Sequence, residues 1–132
     1  MKTAKSSQVL QPYDITLRIY FTDNPVKLVK KLISDNPDPA FRFREDWLAE
    51  HGAVASTNAG MAGKDMSEYV IFCVFDTDNN ELFSTIAHES VHVLSNILMF
   101  TGAQYDPKND EPMAYMTGHV FNLIEKTYSK VK

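Results

Sequence analysis

The chain has 132 residues, which is enough for one domain with a hydrophobic core. Its formal net charge of −4 offers no basic field to phosphate groups, so the composition argues against a nucleic-acid binder. The single cysteine excludes an internal disulfide and a zinc site built from several cysteines. The sequence contains neither a signal peptide nor an apolar run long enough to span a membrane, and we therefore expect a cytoplasmic protein.

The first part of the chain predicts a tail, a strand and a helix. Residues 1–12 are polar and are predicted to form a flexible tail. Apolar and polar residues alternate over Ile15–Phe21, which is the pattern of a strand with one buried face. Asp23 or Asn24 is a suitable N-cap for a helix that has Pro25 in its first turn.

The middle of the chain predicts a short helix and two strands. Phe41–His51 is a candidate for the helix. Ala53–Lys64 is rich in small residues and is expected to form a thin strand and a flexible loop, at a sheet edge where a peptide substrate can bind. Tyr69–Phe75 is a continuous apolar run and therefore predicts a central strand, in which Cys73 is a small buried hydrophobic residue.

Residues 88–92 read His-Glu-Ser-Val-His, an H-E-x-x-H motif inside an amphipathic helix predicted over Glu81–Phe100. Because residues four apart share one face of a helix, His88 and His92 can bind one Zn²⁺ together. Glu89 borders that face and can act as a general base beside the metal. The polar side of this helix is predicted to contain Thr85, His88, Glu89, His92, Ser95 and Asn96.

A last helix is predicted from about Asp110 to Tyr128, after a stop at Gly102. A mononuclear zinc site usually needs three protein ligands, and Glu111 in the first turn of this helix is the preferred third ligand. The competing candidates are Asp106, Asp110 and His119. A second stripe on this helix contains Glu111, Tyr115, Gly118 and Asn122.

His88, Glu89, His92 and Glu111 together resemble the gluzincin pattern of the zincin metallopeptidases, in which H-E-x-x-H on one helix is completed by a glutamate on the next. The string Asp110–Tyr115 (DEPMAY) is similar to the E-x-x-A pattern of small metallopeptidases encoded by phages and prophages.

The resemblance implies an α+β fold of the minimal zincin-like type, with a small sheet packed on the H-E-x-x-H helix and on a C-terminal glutamate helix, in one domain over 13–132. It also implies a zinc-dependent metallopeptidase that cleaves a protein or peptide substrate with a metal-activated water, holds one Zn²⁺ per chain and uses Glu89 as the general base. Tyr115, His119 or Tyr105 would stabilise the oxyanion, and Tyr115 is the first candidate. The alternative is a non-catalytic zincin-fold protein that uses zinc structurally or binds a partner protein.

Overall fold

The structure is a computed structural model of the chain, and it describes residues 3–35, 55–62, 68–76 and 82–131. Its elements are β1 (Thr3–Leu10), β2 (Ile15–Thr22), α1 (Pro25–Asp35), β3 (Ala55–Ala62), β4 (Glu68–Asp76), α2 (Leu82–Thr101) and α3 (Glu111–Tyr128). These elements confirm the α+β class predicted from the sequence. Within the described ranges, we find no helix whose length and apolarity would allow it to cross a bilayer.

The four strands form one mixed sheet in the order β1-β2-β4-β3. β2 and β4 are parallel, and the antiparallel strands β1 and β3 flank them. The chain between β2 and β4 passes through α1, which contacts β4. The central position of β4 confirms the prediction from its uninterrupted apolar run, and β3 is the edge strand predicted within residues 53–64.

The prediction of a flexible tail over residues 1–12 is wrong. Thr3–Leu10 pairs with β2 along its whole length and forms the second edge of the sheet. Leu10 is fully buried, and the hydroxyl groups of Ser6 and Thr127 form a hydrogen bond of 2.6 Å between β1 and α3. The strand has a weak sequence signal because few of its side chains are apolar, and its stability comes from pairing with β2.

One face of β2 forms the centre of the core. Ile15, Leu17, Ile19 and Phe21 are all at most 1% exposed, and they alternate along the strand as predicted. The ring of Phe21 lies 5.3 Å from the ring of Tyr128 in α3, so this face is covered by the helices. The helices contribute the buried residues Ile86, Val93, Leu94, Ile97, Val120 and Ile124.

The helix ends agree closely with the sequence signals. The backbone N–H of Lys27 donates to Asn24 Oδ1 at 3.1 Å, so Asn24 is the N-cap of α1. Gly102 follows α2 with a φ of 69°, which favours glycine at this stop, and Asp110 immediately precedes α3. The predicted helix over Phe41–His51 lies outside the described residues.

Candidate metal centre

α2 brings the two histidines of the motif together on its solvent-exposed side. His88 and His92 are both exposed, and their Nε2 atoms are 3.1 Å apart. Their ring centroids are 4.9 Å apart with an interplanar angle of 67°. One helical turn separates the two residues, so the regular backbone of α2 places the two imidazoles side by side. The Nε2 atoms of the two predicted zinc ligands therefore lie next to each other.

The spacing of the two nitrogens fits a shared metal ion. Zinc–imidazole bonds of about 2.0–2.1 Å in tetrahedral geometry put two ligand nitrogens about 3.3 Å apart. The observed distance of 3.1 Å is close to that value. The same distance also suits a hydrogen bond in which one neutral ring donates its Nε2–H to the Nε2 of the other. The pair therefore fits two positions of a zinc site without rearrangement of α2.

Glu89 does not lie on the exposed side with the histidines, and its predicted position on the polar face is wrong. Its side chain is 5% exposed. It follows Ile86 by three residues and precedes Val93 by four, so it belongs to the buried stripe of α2. Glu89 interacts with another residue, and among the described residues no buried side-chain nitrogen or oxygen lacks a hydrogen-bond partner. The spacing of Glu89 from Ile86 and Val93 is visible in the sequence and indicates a buried position.

Burial still leaves Glu89 next to the histidine pair. Because each residue turns the helix by about 100°, Glu89 is rotated by about 60° from His92, three residues later. It therefore occupies the border between the buried stripe and the exposed histidines. Its burial places Glu89 against the core, and its rotation places it beside His92 around the helix. That placement is compatible with the predicted role as a general base.

The histidine pair lies on the exposed side of α2, next to the groove between α2 and α3. A groove of about 270 Å³ between the two helices is lined on the α2 side by Val91, Leu94, Ser95 and Leu98. Ser95 lies seven residues after His88 and three after His92, so it is rotated by only about 20° and 60° from the two histidines. The packing of α2 on α3 includes the stacked rings of Phe83 and Phe121, whose centroids are 6.3 Å apart. The pair therefore lies at the edge of this groove and not at its centre.

Glu111 is the first residue of α3, as predicted, but it is exposed on the outer face of this helix. Nine residues separate it from the buried Val120, which is a rotation of about 180°. The described residues that line a hollow of about 550 Å³ on this outer face are Glu111, Ala114, Tyr115, Gly118, His119 and Asn122. The residues of the predicted second stripe of α3 therefore lie together on an exposed surface, but this surface does not face the histidine pair.

The part of the chain that the structure describes contains no group of three or more His, Cys, Asp or Glu side chains placed to hold a metal. Glu111 as the third zinc ligand consequently stays a prediction, and so do the competing candidates Asp106, Asp110 and His119. Tyr115 is 77% exposed on the outer face of α3, and Tyr105 lines the groove between the helices. The oxyanion role of a tyrosine or of His119 also stays a prediction.

No protein-family model, curated protein or solved structure matches this chain. The resemblance to the zincin metallopeptidases therefore depends on the motif residues and on their geometry.

Proposed function

We propose that this protein is a zinc-dependent metallopeptidase that hydrolyses peptide bonds, with His88 and His92 as zinc ligands and Glu89 as the general base. The observation that carries the proposal is the pair of exposed Nε2 atoms 3.1 Å apart on one side of α2. Zinc bound there would polarise the substrate carbonyl and lower the pKa of a bound water to about 7.

Glu89 is the residue of this site that makes hydrolysis the preferred function. A carboxylate next to the metal can accept a proton from the attacking water and return it to the leaving amine. Its 5% exposure keeps the carboxylate away from bulk water, so its interactions with nearby charge are weakly screened. A site that only held zinc would gain nothing from a buried glutamate directly after the first histidine.

The position of β3 supports an extended peptide as the substrate. β3 is an edge strand of the sheet, and α2 contacts it. The outer backbone groups of an edge strand can pair with an incoming peptide, which then adds one strand to the sheet. Such a peptide would lie along the same side of the domain as α2, with its amide bonds near the motif helix. We therefore propose that the substrate binds in an extended conformation along β3.

The third ligand is the part of the site that the described residues do not supply. For Glu111 to reach the pair, the segment 102–110 would have to reposition the first turn of α3. Every residue of that segment is exposed, so few contacts oppose such a movement. We keep Glu111 as the third ligand and Tyr115, one turn later, as the oxyanion-stabilising residue. Glu111→Ala should lower zinc affinity, and Glu125→Ala on the same helix should not.

The decisive experiment compares wild-type protein with Glu89→Gln, an isosteric change that removes the base but keeps both histidines. Zinc per chain is measured by elemental mass spectrometry on protein purified without added metal, and cleavage is measured by mass spectrometry on a peptide library. We expect Glu89→Gln to bind zinc like wild type and to lose cleavage. Glu125→Gln is the matched control and should retain both properties.

Two results would contradict the proposal. One is full cleavage by Glu89→Gln, since the general base would then be a different group. The other is a wild-type protein that holds no zinc after zinc has been added and the excess removed.

A second candidate function is a non-catalytic protein that uses the pair to hold zinc structurally or to bind a partner protein. The observation in its favour is that only two ligands come together among the described residues. This candidate predicts zinc binding without cleavage in the wild type, and it predicts that Glu89→Gln changes neither.

A further inference from the structure

The exposed side of α2 around the histidine pair carries no formal charge apart from the histidines themselves. Glu89 is the only Asp, Glu, Lys or Arg residue in Leu82–Thr101, and it is buried. The exposed side instead contains small and apolar residues, with Met99 68% exposed, and Val91 at the neighbouring groove is 58% exposed. Surface helices normally place charged residues on their solvent face. Depletion of charge together with exposed methionine is typical of the core of a protein–protein interface.

Among the residues that the structure describes, the same side presents an incomplete set of metal ligands. His88 and His92 supply two nitrogens, whereas a closed tetrahedral zinc site needs four protein ligands. No third His, Cys, Asp or Glu side chain joins them among the residues that the structure describes. A second copy of the chain would offer an identical pair on an identical uncharged surface. Two copies related by a twofold axis could therefore supply four imidazoles to one ion.

We infer that the His88–His92 pair is half of a zinc site that a second copy of this chain completes, with two α2 helices packed side by side. This inference rests on the metal-binding part of the proposed function and concerns its regulation. Four imidazoles leave no open position for water or for a substrate carbonyl. The zinc-linked dimer is therefore the closed form of the protein, and the single chain is the form that can accept a peptide.

An antiparallel arrangement of the two helices places compatible residues against each other. With the twofold axis midway between His88 and His92, Ser95 faces Thr85 of the second copy. Ser84 faces Asn96 of the second copy in the same way. These are small or uncharged side chains, so the second helix can approach without like-charge repulsion and without burying an unpaired charge.

The contact area explains why zinc has to hold the two copies together. A stable protein–protein interface buries more than about 1,000 Å², and we expect the exposed side of one 20-residue helix against its copy to bury less than that. The apolar contacts of Val91 and Met99 alone are consequently too weak for a permanent dimer. We expect single chains without zinc and dimers once zinc joins the two histidine pairs.

The test measures molecular mass and zinc content on the same samples. Wild-type protein is analysed by size-exclusion chromatography with light scattering, first in EDTA and then with increasing zinc chloride. Zinc per chain in each peak is measured by elemental mass spectrometry. We expect single chains in EDTA, twice that mass with zinc, one zinc per two chains in the dimer, and reversal when EDTA is returned.

Matched variants separate the ligands from the contact surface. His88→Ala should abolish the zinc-dependent dimer, whereas Lys126→Ala, which removes an exposed side chain from α3, should leave it unchanged. Ser95→Lys keeps both histidines but introduces a positive charge into the contact surface of each copy. It should weaken dimerisation at least tenfold, and Ser95→Ala should not. Lysine is chosen over glutamate because a new carboxylate could itself bind zinc.

The outcomes distinguish this inference from the proposed peptidase. Single chains with one zinc each at every zinc concentration would overturn the inference, and peptide cleavage by those chains would support the peptidase. A dimer that persists in EDTA or in His88→Ala would also overturn the inference. A zinc-linked dimer with one ion per two chains, together with no cleavage at any zinc concentration, would support the inference and contradict the peptidase. Failure of the wild type to bind zinc would overturn both.

Discussion

Replacing Leu10 by Ala should remove a large fraction of the free energy of unfolding of this domain. Leu10 is the last residue of β1, is fully buried and belongs to the same core cluster as the buried face of β2. A fully buried Leu→Ala change removes the transfer free energy of the side chain and leaves a cavity, which together cost about 2–5 kcal/mol. Domains of this size are stable by about 5–15 kcal/mol, so the expected loss is a substantial fraction.

The assay is equilibrium urea unfolding followed by circular dichroism, with Val9→Ala as the matched control. Val9 neighbours Leu10 on the same strand but is 46% exposed, and its truncation should cost about 0.5 kcal/mol. With a urea dependence of about 1.5 kcal/mol per M, the midpoint of Leu10→Ala should fall by about 1–3 M. The midpoint of Val9→Ala should fall by less than about 0.5 M.

Equal, small effects of the two substitutions would refute the reasoning. In that case the segment before residue 12 would behave as the flexible tail that its composition predicts, and β1 would contribute nothing to the core. A large effect at both positions would contradict the register of β1, because successive side chains of a strand point to opposite faces of the sheet.

Four further predictions concern local structure, and each is measured by the same urea unfolding. Gly118→Ala should stabilise the protein by about 0.5–1 kcal/mol, because Gly118 is helical and nothing lies within 4 Å of an added Cβ. Gly102→Ala should destabilise the protein by about 1 kcal/mol, since the φ of 69° disfavours a side chain. Effects of equal sign at Gly118 and Gly102 would contradict the backbone conformations given for these two glycines. Thr127→Val should lower the free energy of unfolding by about 1–2 kcal/mol because it breaks the 2.6 Å hydrogen bond with Ser6. A double-mutant cycle with Ser6→Ala that gives no coupling energy would exclude that bond. Asn24→Ala should cost about 0.5–2 kcal/mol through loss of the N-cap of α1, whereas Asn24→Asp should cost little, and a loss of equal size in both would show that capping is not the cause.

Periodic patterns in the sequence predicted the elements that position the motif. The alternation over Ile15–Phe21 gave a strand with one buried face, and the apolar run over Tyr69–Phe75 gave the central strand. The helix predicted over Glu81–Phe100 agrees with α2 within one residue at each end. These signals are local, because each depends on the spacing of apolar residues within a single element.

The strand β1 lacks such a pattern and was not predicted, and the side of α2 that contains Glu89 was predicted wrongly. β1 contains few apolar residues, so only its hydrogen bonds with β2 and its contacts with α3 reveal it as a strand. The prediction that Glu89 borders the histidine face depends on its position three residues before His92. Its spacing from Ile86 and Val93 was the better guide, and it explains why the structure buries this carboxylate.

The sequence by itself determined that His88 and His92 meet, because a spacing of four residues on a regular helix brings two side chains together whatever surrounds the helix. Only the tertiary structure decided which side chains accompany them. The buried residues Val120 and Ile124 fix the rotation of α3 about its own axis, and this rotation turns Glu111 outward. The spacing within α3 places Glu111 opposite Val120, but the direction of each face relative to the histidine pair depends on how the apolar stripe packs against the sheet and against α2.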